Sequence, residues 1–364
     1  MPHSPARHTS LPAPPPFSPA LGAAAPGPDL VARRALLPVH VLSRSATAIL
    51  SLALAGPAAR AAETGGADFD TLRVSRLECV IGNNAAAAEH RAGYNGIFRL
   101  TAPGGTPSAF VPAFSGLNLE HYFDGRLTRG NPQVTFEPRV SPMLFRRLGP
   151  TTAELFQAAT PVYGVESRTV FELREPYYLD VTYRAKPRAG GFHGGFLGVF
   201  WASYINGPHD KSIYFLDGSS TLAAPRWVQF TSQVHGRDAT VRAADDRQEF
   251  VMEPDPRSLP RNFSPLRYGA PFFYGRFHDQ VLIYIFRPSP FLRFAHSPSG
   301  GSRNAAGDDT NPAWDFQLVV PEAEALQGLQ LELRLVYKPW AGRDDVLREV
   351  RSWLGAAGES LKPE

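Results

Sequence analysis

Four segments of the sequence place aromatic side chains beside histidine, carboxylate and amide side chains. They are residues 116–125 (GLNLEHYFDG), 200–215 (FWASYINGPHDKSIYF), 293–301 (RFAHSPSGG) and 311–317 (NPAWDFQ). A purely structural core does not need this mixture, because a buried polar group costs free energy unless it is hydrogen-bonded. A surface that stacks on a sugar ring and hydrogen-bonds its hydroxyl groups does need it. The four segments therefore indicate a surface suited to carbohydrate.

Six side chains in or beside these segments can transfer protons. An imidazole titrates near neutral pH, and a carboxyl or phenol group can exchange protons where its surroundings shift its pKa. The candidate catalytic residues are His121, Tyr204, His209, His235, His296 and Asp315. We expect at least three of them to share one concave pocket, with Trp201 or Trp314 in its wall.

His121 carries most of this hypothesis, because it follows a carboxylate, Glu120, in an expected strand. Successive side chains of a strand point to opposite faces. We therefore expect Glu120 and Tyr122 on one face, and His121 and Phe123 on the other. The structural alternative for His121 is a hydrogen bond to a backbone carbonyl beneath a loop.

A second group of side chains can hold a sugar without transferring protons. Aromatic rings offer stacking faces, and amide, carboxylate and guanidinium groups form hydrogen bonds. The candidate substrate-binding residues are Arg91, Glu120, Trp201, Asn206, Tyr214 and Trp314. Alternatively, Asn206 and Asp210 serve only the geometry of a tight turn. The loop at 297–312 has the composition of a lid, or it is an insertion without function.

Other chemistries lack their sequence patterns. The scattered histidines do not have the spacing of a zinc site, and Asp308 and Asp309 lack the alternating ligands of a calcium loop. No nucleophile elbow, P-loop or dinucleotide-binding glycine motif is present. We therefore predict no metal and no cofactor. The net charge is +3 without a basic cluster along one face, which argues against a nucleic-acid partner.

Residues 1–61 are predicted to be a Pro/Ala-rich leader followed by a secretory signal peptide. Three arginines precede an apolar run at 46–55, and Ala59-Arg60-Ala61 supplies a cleavage site. The run is shorter than the roughly 20 apolar residues of a spanning helix. We therefore expect an exported protein, periplasmic or extracellular, with no stable membrane span after processing. An Ala-rich helix or a membrane anchor is the alternative.

The rest of the chain is rich in strand patterns. Alternating apolar and polar residues predict half-buried strands at 177–184 and 329–337, and the apolar run at 280–287 predicts a strand covered on both faces. Further strands are expected at 72–81, 168–174, 196–205, 227–235 and 247–253. Frequent turns, with 35 Pro and 32 Gly, and the lack of a βαβ alternation predict an all-β, mainly antiparallel fold, a large β-sandwich or supersandwich.

Residues 62–364 are predicted to form a single domain with one C-terminal helix at about 344–354. Val346, Leu347 and Val350 share one face of this helix, and Gly355 follows it. We expect it to pack on the edge of the sandwich. Cys79 is the only cysteine, so no intramolecular disulfide can form, and its apolar surroundings predict a buried side chain.

The segments above, together with 93–100 (GYNGIFRL) and 110–125 (FVPAFSGLNLEHYFDG), resemble a family of exported bacterial proteins without assigned function. The resemblance covers about residues 72–353. The length and strand pattern are similar to galactose-mutarotase-like β-supersandwich domains. Such folds host epimerases, polysaccharide lyases and domains of glycoside hydrolases, so the resemblance implies carbohydrate chemistry.

Two functions remain open on these grounds. One is a secreted carbohydrate-active enzyme, an epimerase or mutarotase or a polysaccharide lyase, with an acid and a base across one sugar carbon. A lyase also needs a group that neutralises the uronate carboxylate, for which Arg91, Asn83 or Asn84 is available. The other is a non-catalytic carbohydrate-binding or cell-surface module, which would keep the aromatic residues and tolerate the loss of every histidine.

Overall fold

The computed structural model describes residues 66–104, 106–300 and 310–359, the last four of these by their backbone alone. The predicted leader and signal peptide at 1–61 and residues 301–309 of the expected lid lie outside these ranges. Residues from 66 onward belong to one compact unit. In the part of the chain that is described, no helix is both long and apolar enough to cross a membrane.

The described residues include eighteen strands. In chain order they are β1 (Phe69–Val74), β2 (Leu77–Gly82), β3 (Gly96–Thr101), β4 (Asn118–Phe123), β5 (Leu144–Arg147), β6 (Thr152–Gln157), β7 (Val165–Arg174), β8 (Tyr178–Pro187), β9 (Phe196–Ala202), β10 (Ile213–Leu216), β11 (Trp227–Phe230), β12 (Thr240–Ala243), β13 (Phe263–Tyr268), β14 (Phe272–Phe277), β15 (Gln280–Phe286), β16 (Leu292–Ser297), β17 (Ala313–Pro321) and β18 (Leu329–Pro339).

These strands form three sheets. A nine-stranded sheet has the order β11-β10-β14-β15-β18-β8-β7-β6-β5, a six-stranded sheet has the order β13-β12-β16-β17-β9-β4, and β1-β2-β3 form a third. Neighbours in the two large sheets pair antiparallel, apart from β12 and β13, which pair parallel. The predicted mainly antiparallel sandwich is therefore confirmed.

The two large sheets enclose the main hydrophobic core. Tyr183 of β8 packs edge-on against Trp201 of β9, with ring centroids 4.8 Å apart. The backbone of β14 lies directly against the indole of Trp314 on β17 at Gly275. A Cβ atom at this position would lie 2.1 Å from that indole. Cys79 is buried in the same core, and burial raises the pKa of its thiol. Both its predicted burial and its inertness follow from this position.

Four helices accompany the sheets, of which only the last was expected. They are α1 (Pro132–Thr135), α2 (Glu137–Val140), α3 (Glu322–Gln327) and α4 (Arg343–Glu359). The first three are too short to show a 3.6-residue period. Helix α4 continues past Gly355, since the two alanines that follow are strong helix formers and one glycine costs a helix only about 1 kcal/mol.

Helix α4 covers the outer face of the nine-stranded sheet rather than its edge. Val346, Leu347 and Val350 pack against Ile283 and Ile285 of β15, while Leu282, Tyr284 and Phe286 of that strand face the main core. The continuous apolar run predicted to be covered on both faces is confirmed, and α4 supplies the second cover. The expected edge position was wrong because both faces of β15 are apolar.

Other strand predictions were correct in kind but not in extent. The run at 72–81 is a hairpin of β1 and β2, because Ser75-Arg76 turns the chain. Residues 247–253 form no strand. The strand expected at 227–235 ends at Phe230, and the strand at 196–205 ends at Ala202.

Candidate functional site

A cavity of about 390 Å³ lies on the face of the six-stranded sheet that points away from the main core. Its floor consists of side chains from β4, β9 and β17, and its walls come from segments 127–139 and 255–261. Phe200 and Ala202 of the outer apolar cluster lie at its base. The ionisable side chains on its surface are Glu120, His121, Arg129, Arg139, Tyr94, Tyr204, His235, Asp255, Arg257, Arg261 and Asp315.

A β-bulge in β4 places Glu120 and His121 on the same face of the strand. Leu119 pairs with Trp201 of β9, but the next pair joins His121 to Phe200, so Glu120 is the extra residue. Leu119 and Tyr122 therefore face the main core, while both Glu120 and His121 line the cavity. The expected strict alternation is wrong here, and the bulge is the physical reason.

Glu120 lies at the centre of a hydrogen-bond network. One carboxylate oxygen lies 2.9 Å from Nε2 of His121. The other accepts hydrogen bonds from Asn118 at 2.9 Å and from the hydroxyl of Tyr204. Nη1 of Arg139 lies 3.7 Å from the same oxygen. Both oxygens of this buried carboxylate thus have partners within the protein.

These partners keep Glu120 ionised. Burial opposes the charged form, but the charge and hydrogen bond of His121, the charge of Arg139 and the hydroxyl of Tyr204 outweigh it and lower the pKa of Glu120 to about 2. Burial, with the adjacent Glu120 charge, raises the pKa of Tyr204 well above its usual value. Tyr204 therefore stays a hydrogen-bond donor to Glu120.

The surroundings of His121 determine where its protons sit. Its Nδ1 lies 2.5 Å from the carbonyl oxygen of Thr135, the last residue of α1. A carbonyl oxygen only accepts hydrogen bonds, so Nδ1 must carry a proton. Nε2 faces the Glu120 carboxylate, so the ring donates from both nitrogens when it is an imidazolium. His121, with a side chain 22 % exposed, can then pass the Nε2 proton to a group in the cavity.

Asp315 is the second carboxyl group of the cavity and has the opposite electrostatic environment. Its side chain is buried, and the hydrogen bond resolved for it comes from the backbone N–H of Ser203 at 3.0 Å. Burial raises the pKa of Asp315 well above its usual value, and the charge of Glu120 raises it further, against the hydrogen bond from Ser203. Asp315 therefore keeps its proton to a higher pH than an ordinary carboxyl group, whereas Glu120 loses its proton at a lower pH.

Two carboxyl groups on one cavity thus hold different protonation states. Environments that push two pKa values apart are the usual origin of an acid and a base in one enzyme site. Asp315 can donate a proton, and the His121–Glu120 pair can exchange one at Nε2. This arrangement can move protons at two points of a bound molecule.

Aromatic rings and one guanidinium group form the wall next to this pair. The Arg139 guanidinium stacks over Tyr94 at 3.8 Å and over Phe136 at 4.7 Å. Tyr94 also packs edge-on against Tyr204, with centroids 5.6 Å apart, and Phe136 packs against His121 at 4.8 Å. These rings offer stacking surface beside the ionisable groups.

The rim of the cavity is basic. Arg129, Arg257 and Arg261 line it, and Arg129 forms an ion pair with Asp255 at 2.8 Å. His235 also reaches the rim, where its Nδ1 lies 2.8 Å from the hydroxyl of Ser297. Partial desolvation and the neighbouring Arg129 lower the pKa of His235 below its usual value.

Of the six candidate catalytic residues, His121, Tyr204, His235 and Asp315 share this cavity. His209 does not, because its side chain is exposed on a turn, where its ring lies 4.8 Å from that of His278. That turn closes the end of the main core, since the carbonyl of Lys211 accepts hydrogen bonds from Trp314 and His296. The prediction for His209 was therefore wrong about position.

His296 is a structural histidine. Its Nε2 donates to the carbonyl of Lys211 at 2.8 Å, and its Nδ1 accepts the backbone N–H of Ser232 at 3.2 Å. Burial lowers its pKa to about 4, so both nitrogens are satisfied in the neutral ring. Alternation along β16 explains the error, because Leu292, Phe294 and His296 face inward while Ser297 faces the cavity.

Most candidate substrate-binding residues lie elsewhere. Trp201 and Trp314 point into the main core, so neither forms the cavity wall. Tyr214 stacks on Tyr274 at 5.0 Å under α4. Asn206 donates to the carbonyl of Ser108 at 3.2 Å, which agrees with its turn interpretation. Of that set only Glu120 lines the cavity.

The residues considered for neutralising a uronate are also outside the cavity. Arg91 is exposed and stacks over Phe114 at 5.2 Å. Asn83 donates to Asp68 at 2.9 Å. Asn84 donates to three carbonyls in the α2 region, including that of Arg139 at 2.9 Å, and so helps to hold α2 in place. The arginines that do line the cavity are Arg129, Arg139, Arg257 and Arg261.

Sequence reasoning missed Tyr94, Phe136, Arg139 and the segment 255–261. Tyr94 lies in GYNGIFRL and Arg139 in FEPR, and both combine aromatic and polar residues as the four chosen segments do. The same mixture of residue types could therefore have identified Tyr94 and Arg139 from the sequence. Their meeting at one cavity depends on the tertiary path of two single-turn helices, which no periodicity reveals. Among the described residues, no group of three His, Cys, Asp or Glu side chains is placed to hold a metal ion.

Comparison with known proteins adds a likeness of strand arrangement. No protein-family model matches the sequence, and no curated protein matches it. Solved structures with a similar arrangement include a candidate aldose 1-epimerase from Escherichia coli K12, at 11 % identity and a TM-score of 0.42, covering 75 % of this chain and 99 % of that one. A galactose 1-epimerase from Lactobacillus acidophilus gives 8 % identity, a TM-score of 0.39 and coverage of 74 % and 94 %.

A mutant of the heparan sulfate lyase HepC from Pedobacter heparinus is also similar, at 13 % identity and a TM-score of 0.41. The match covers 75 % of this chain and 36 % of the lyase, so this chain spans about a third of that protein. At these identities the likeness concerns the fold and carries no conclusion about activity. Membership of an exported family stays a prediction.

Proposed function

We propose that this protein is an exported, carbohydrate-active enzyme that transfers protons on a sugar bound in the cavity on the six-stranded sheet. The observation that carries the proposal is the opposite protonation of Glu120 and Asp315 on one cavity, with His121 bonded to Glu120. The aromatic wall of Tyr94 and Phe136 gives a sugar ring a stacking surface.

The proposed roles follow from protonation state and exposure. Asp315 acts as the acid, because it holds its proton in the buried state. His121 exchanges the Nε2 proton, and Glu120 stabilises the imidazolium that results. Tyr204 and Arg139 position Glu120. Epimerisation, mutarotation and β-elimination are all served by such an acid and base across one sugar carbon.

A substitution at His121 tests this proposal. Wild-type protein is assayed against a panel of monosaccharides for anomeric or C–H exchange by NMR, and against uronate polymers for unsaturated products by ultraviolet absorbance. His121→Gln should lower kcat on any active substrate by roughly 10²–10⁴-fold, the usual contribution of general acid–base catalysis. Binding of the substrate should change much less, since the aromatic wall remains.

The control variant is His209→Gln, which removes an exposed histidine outside the cavity. It should retain wild-type turnover. Undiminished turnover in His121→Gln would contradict the assigned role of His121.

A second candidate function is a non-catalytic carbohydrate-binding module. The observation in its favour is that both oxygens of Glu120 are already bonded within the protein, so this carboxylate positions other groups rather than contacting a ligand. Wild-type protein that binds a glycan of the panel but turns over none would establish this function and refute the catalytic one.

A further inference from the structure

Three arginines lie side by side across the other end of the six-stranded sheet. Arg242 of β12 is in register with Arg267 of β13 and with Arg293 of β16. We call this row the arginine ladder. Like charges directly opposite each other in a sheet are destabilising. A fold that keeps three of them in one row needs compensating negative charge.

The protein supplies only part of that compensation. Arg293 is 1 % exposed and donates to Asp246 at 2.9 Å, and the other oxygen of Asp246 accepts the backbone N–H of Gln248. Arg242 reaches only the carbonyl of Gln248, at 3.4 Å. Among the described residues, Nε of Arg242, Nη1 of Arg267 and Nη1 of Arg293 are buried and have no hydrogen-bond partner. Buried donors of charged groups without partners are rare in proteins.

Arg293 lines a second cavity, of about 450 Å³, next to the first. The rings of Phe250 and Phe263 form apolar walls there. The Arg242 guanidinium lies 4.5 Å from the Phe263 ring, and that of Arg293 lies 5.2 Å from it. Both guanidinium groups therefore meet at Phe263.

The two cavities are neighbours. Asp255 and Arg261 line both of them. The carboxylates of the second cavity are already engaged, because Asp255 pairs with Arg129 and Glu253 accepts the backbone N–H of Leu127. These carboxylates therefore do not occupy the unpartnered N–H groups of the arginine ladder, and an incoming anion can accept hydrogen bonds from them.

Arg293 lines this cavity, whereas Arg242 lies next to it, against the ring of Phe263. We infer that the second cavity binds an oxyanion, a carboxylate or sulfate ester carried by a sugar chain, through Arg293, with Arg242 completing the site. Guanidinium groups bind planar or tetrahedral oxyanions with two parallel N–H donors, which suits the unpartnered nitrogens. Phe250 and Phe263 give the adjoining sugar ring apolar faces. The arginine ladder by itself indicates that the ligand is an oxyanion. That a sugar carries this oxyanion rests on the proposed function and on the residues that line both cavities.

The first test uses sulfate alone and the whole protein. Thermal unfolding is measured in sodium sulfate and in sodium chloride at equal ionic strength, for wild type, Arg242→Gln and the control Arg184→Gln. Arg184 is an exposed arginine on β8 of the other large sheet. Sulfate also stabilises proteins generally by exclusion from their surface. Arg184→Gln keeps the proposed site and should show the full sulfate effect, whereas Arg242→Gln should show only the general part.

The expected result differs between the two salts. Arg242→Gln should unfold at the same or a higher temperature than wild type in chloride, because it removes repulsion within the ladder. Between chloride and sulfate, its unfolding temperature should rise less than that of wild type and of the Arg184→Gln control. Equal sulfate effects in all three proteins would overturn the anion site. Arg293→Lys keeps the charge beside Asp246 but removes Nη1, and the same smaller rise is expected from it.

The second test identifies the carrier. Titration calorimetry compares an oligogalacturonate tetrasaccharide and a sulfated chondroitin tetrasaccharide with neutral cellotetraose. An anionic tetrasaccharide should bind wild type and lose about tenfold in affinity in Arg242→Gln, which corresponds to about 1.4 kcal/mol for one lost charge-assisted contact. Any binding of cellotetraose should not change.

The outcomes separate this inference from the proposed function. Sulfate binding without Arg242-dependent binding of either anionic tetrasaccharide would overturn the sugar-borne ligand. Binding to the ladder should persist in His121→Gln, because His121 lies only in the first cavity. Arg242-dependent binding in a protein that turns over no sugar would therefore support the ladder site and refute the catalytic proposal.

Discussion

Replacing Asp315 by asparagine should make the protein more stable and less active. Asparagine has the same shape, and its amide oxygen can accept the backbone N–H of Ser203 as Asp315 does. The substitution removes only the ability to ionise in a buried position. Because burial raises the pKa of Asp315 well above its usual value, the native state keeps a proton that the unfolded chain releases above about pH 3.9.

The size of the effect follows from proton linkage. Between the unfolded and the native pKa of Asp315, the native state binds one more proton than the unfolded state. The free energy of unfolding of wild type therefore falls by about 1.4 kcal/mol for each pH unit in this window, relative to a variant that cannot ionise. Below the unfolded pKa the two proteins should be equally stable, and the gap should widen as the pH rises.

Urea unfolding at a series of pH values from mildly acidic to mildly alkaline measures this gap. Asp238→Asn is the control, because it removes an exposed carboxylate from the same domain. If the free energies of Asp315→Asn and wild type run parallel over the whole series, Asp315 is not a buried acid. Turnover should fall in Asp315→Asn while stability rises, as expected where a strained group is kept for function. Retained turnover would remove Asp315 from the proposed mechanism.

Two further predictions concern the cavity network and the core. Tyr204→Phe removes a hydrogen bond that lowers the pKa of Glu120, so the acidic limb of the pH–activity profile should move to higher pH. An unmoved acidic limb would mean that Glu120 does not set it. Gly275→Ala should destabilise the fold by about 1–3 kcal/mol, because the new methyl group overlaps the indole of Trp314. Thermal unfolding beside Gly149→Ala, whose Cβ would meet only Thr152 at an ordinary contact distance of 3.8 Å, shows whether the close approach is responsible.

The sequence predicted the architecture well where one physical rule dominated. Period-two alternation and continuous apolar runs correspond to β8, β15 and β18, because burial on one or both faces decides those positions. The run at 72–81 looked like one strand because both arms of its hairpin are apolar. Strand β17 was not among the predicted strands, although Trp314, Phe316 and Leu318 alternate with Asp315 and Gln317, so that a period-two signal was available.

The candidate site was predictable in residue type but not in arrangement. His121, Tyr204, His235 and Asp315 come from four separate segments, and all but His235 lie in aromatic sequence as expected. Trp201, Trp314 and His296 have the same local character but face inward, and the face each takes depends on strand register. A one-residue change of register exchanges the two faces of a strand. No local pattern fixes that choice where both faces of a sheet are covered.

The bulge at Glu120 and the carbonyl of Thr135 explain why the chemistry of the site could not be derived from composition. Without the bulge, Glu120 would face the main core and His121 would have no carboxylate partner. Without the α1 carbonyl, Nδ1 could be the unprotonated nitrogen, and Nε2 would carry the only proton of a neutral ring. The sequence thus supplies a histidine next to a glutamate, which is common. A backbone irregularity and a single-turn helix 14 residues away convert that pair into a proton-exchanging group that faces a cavity.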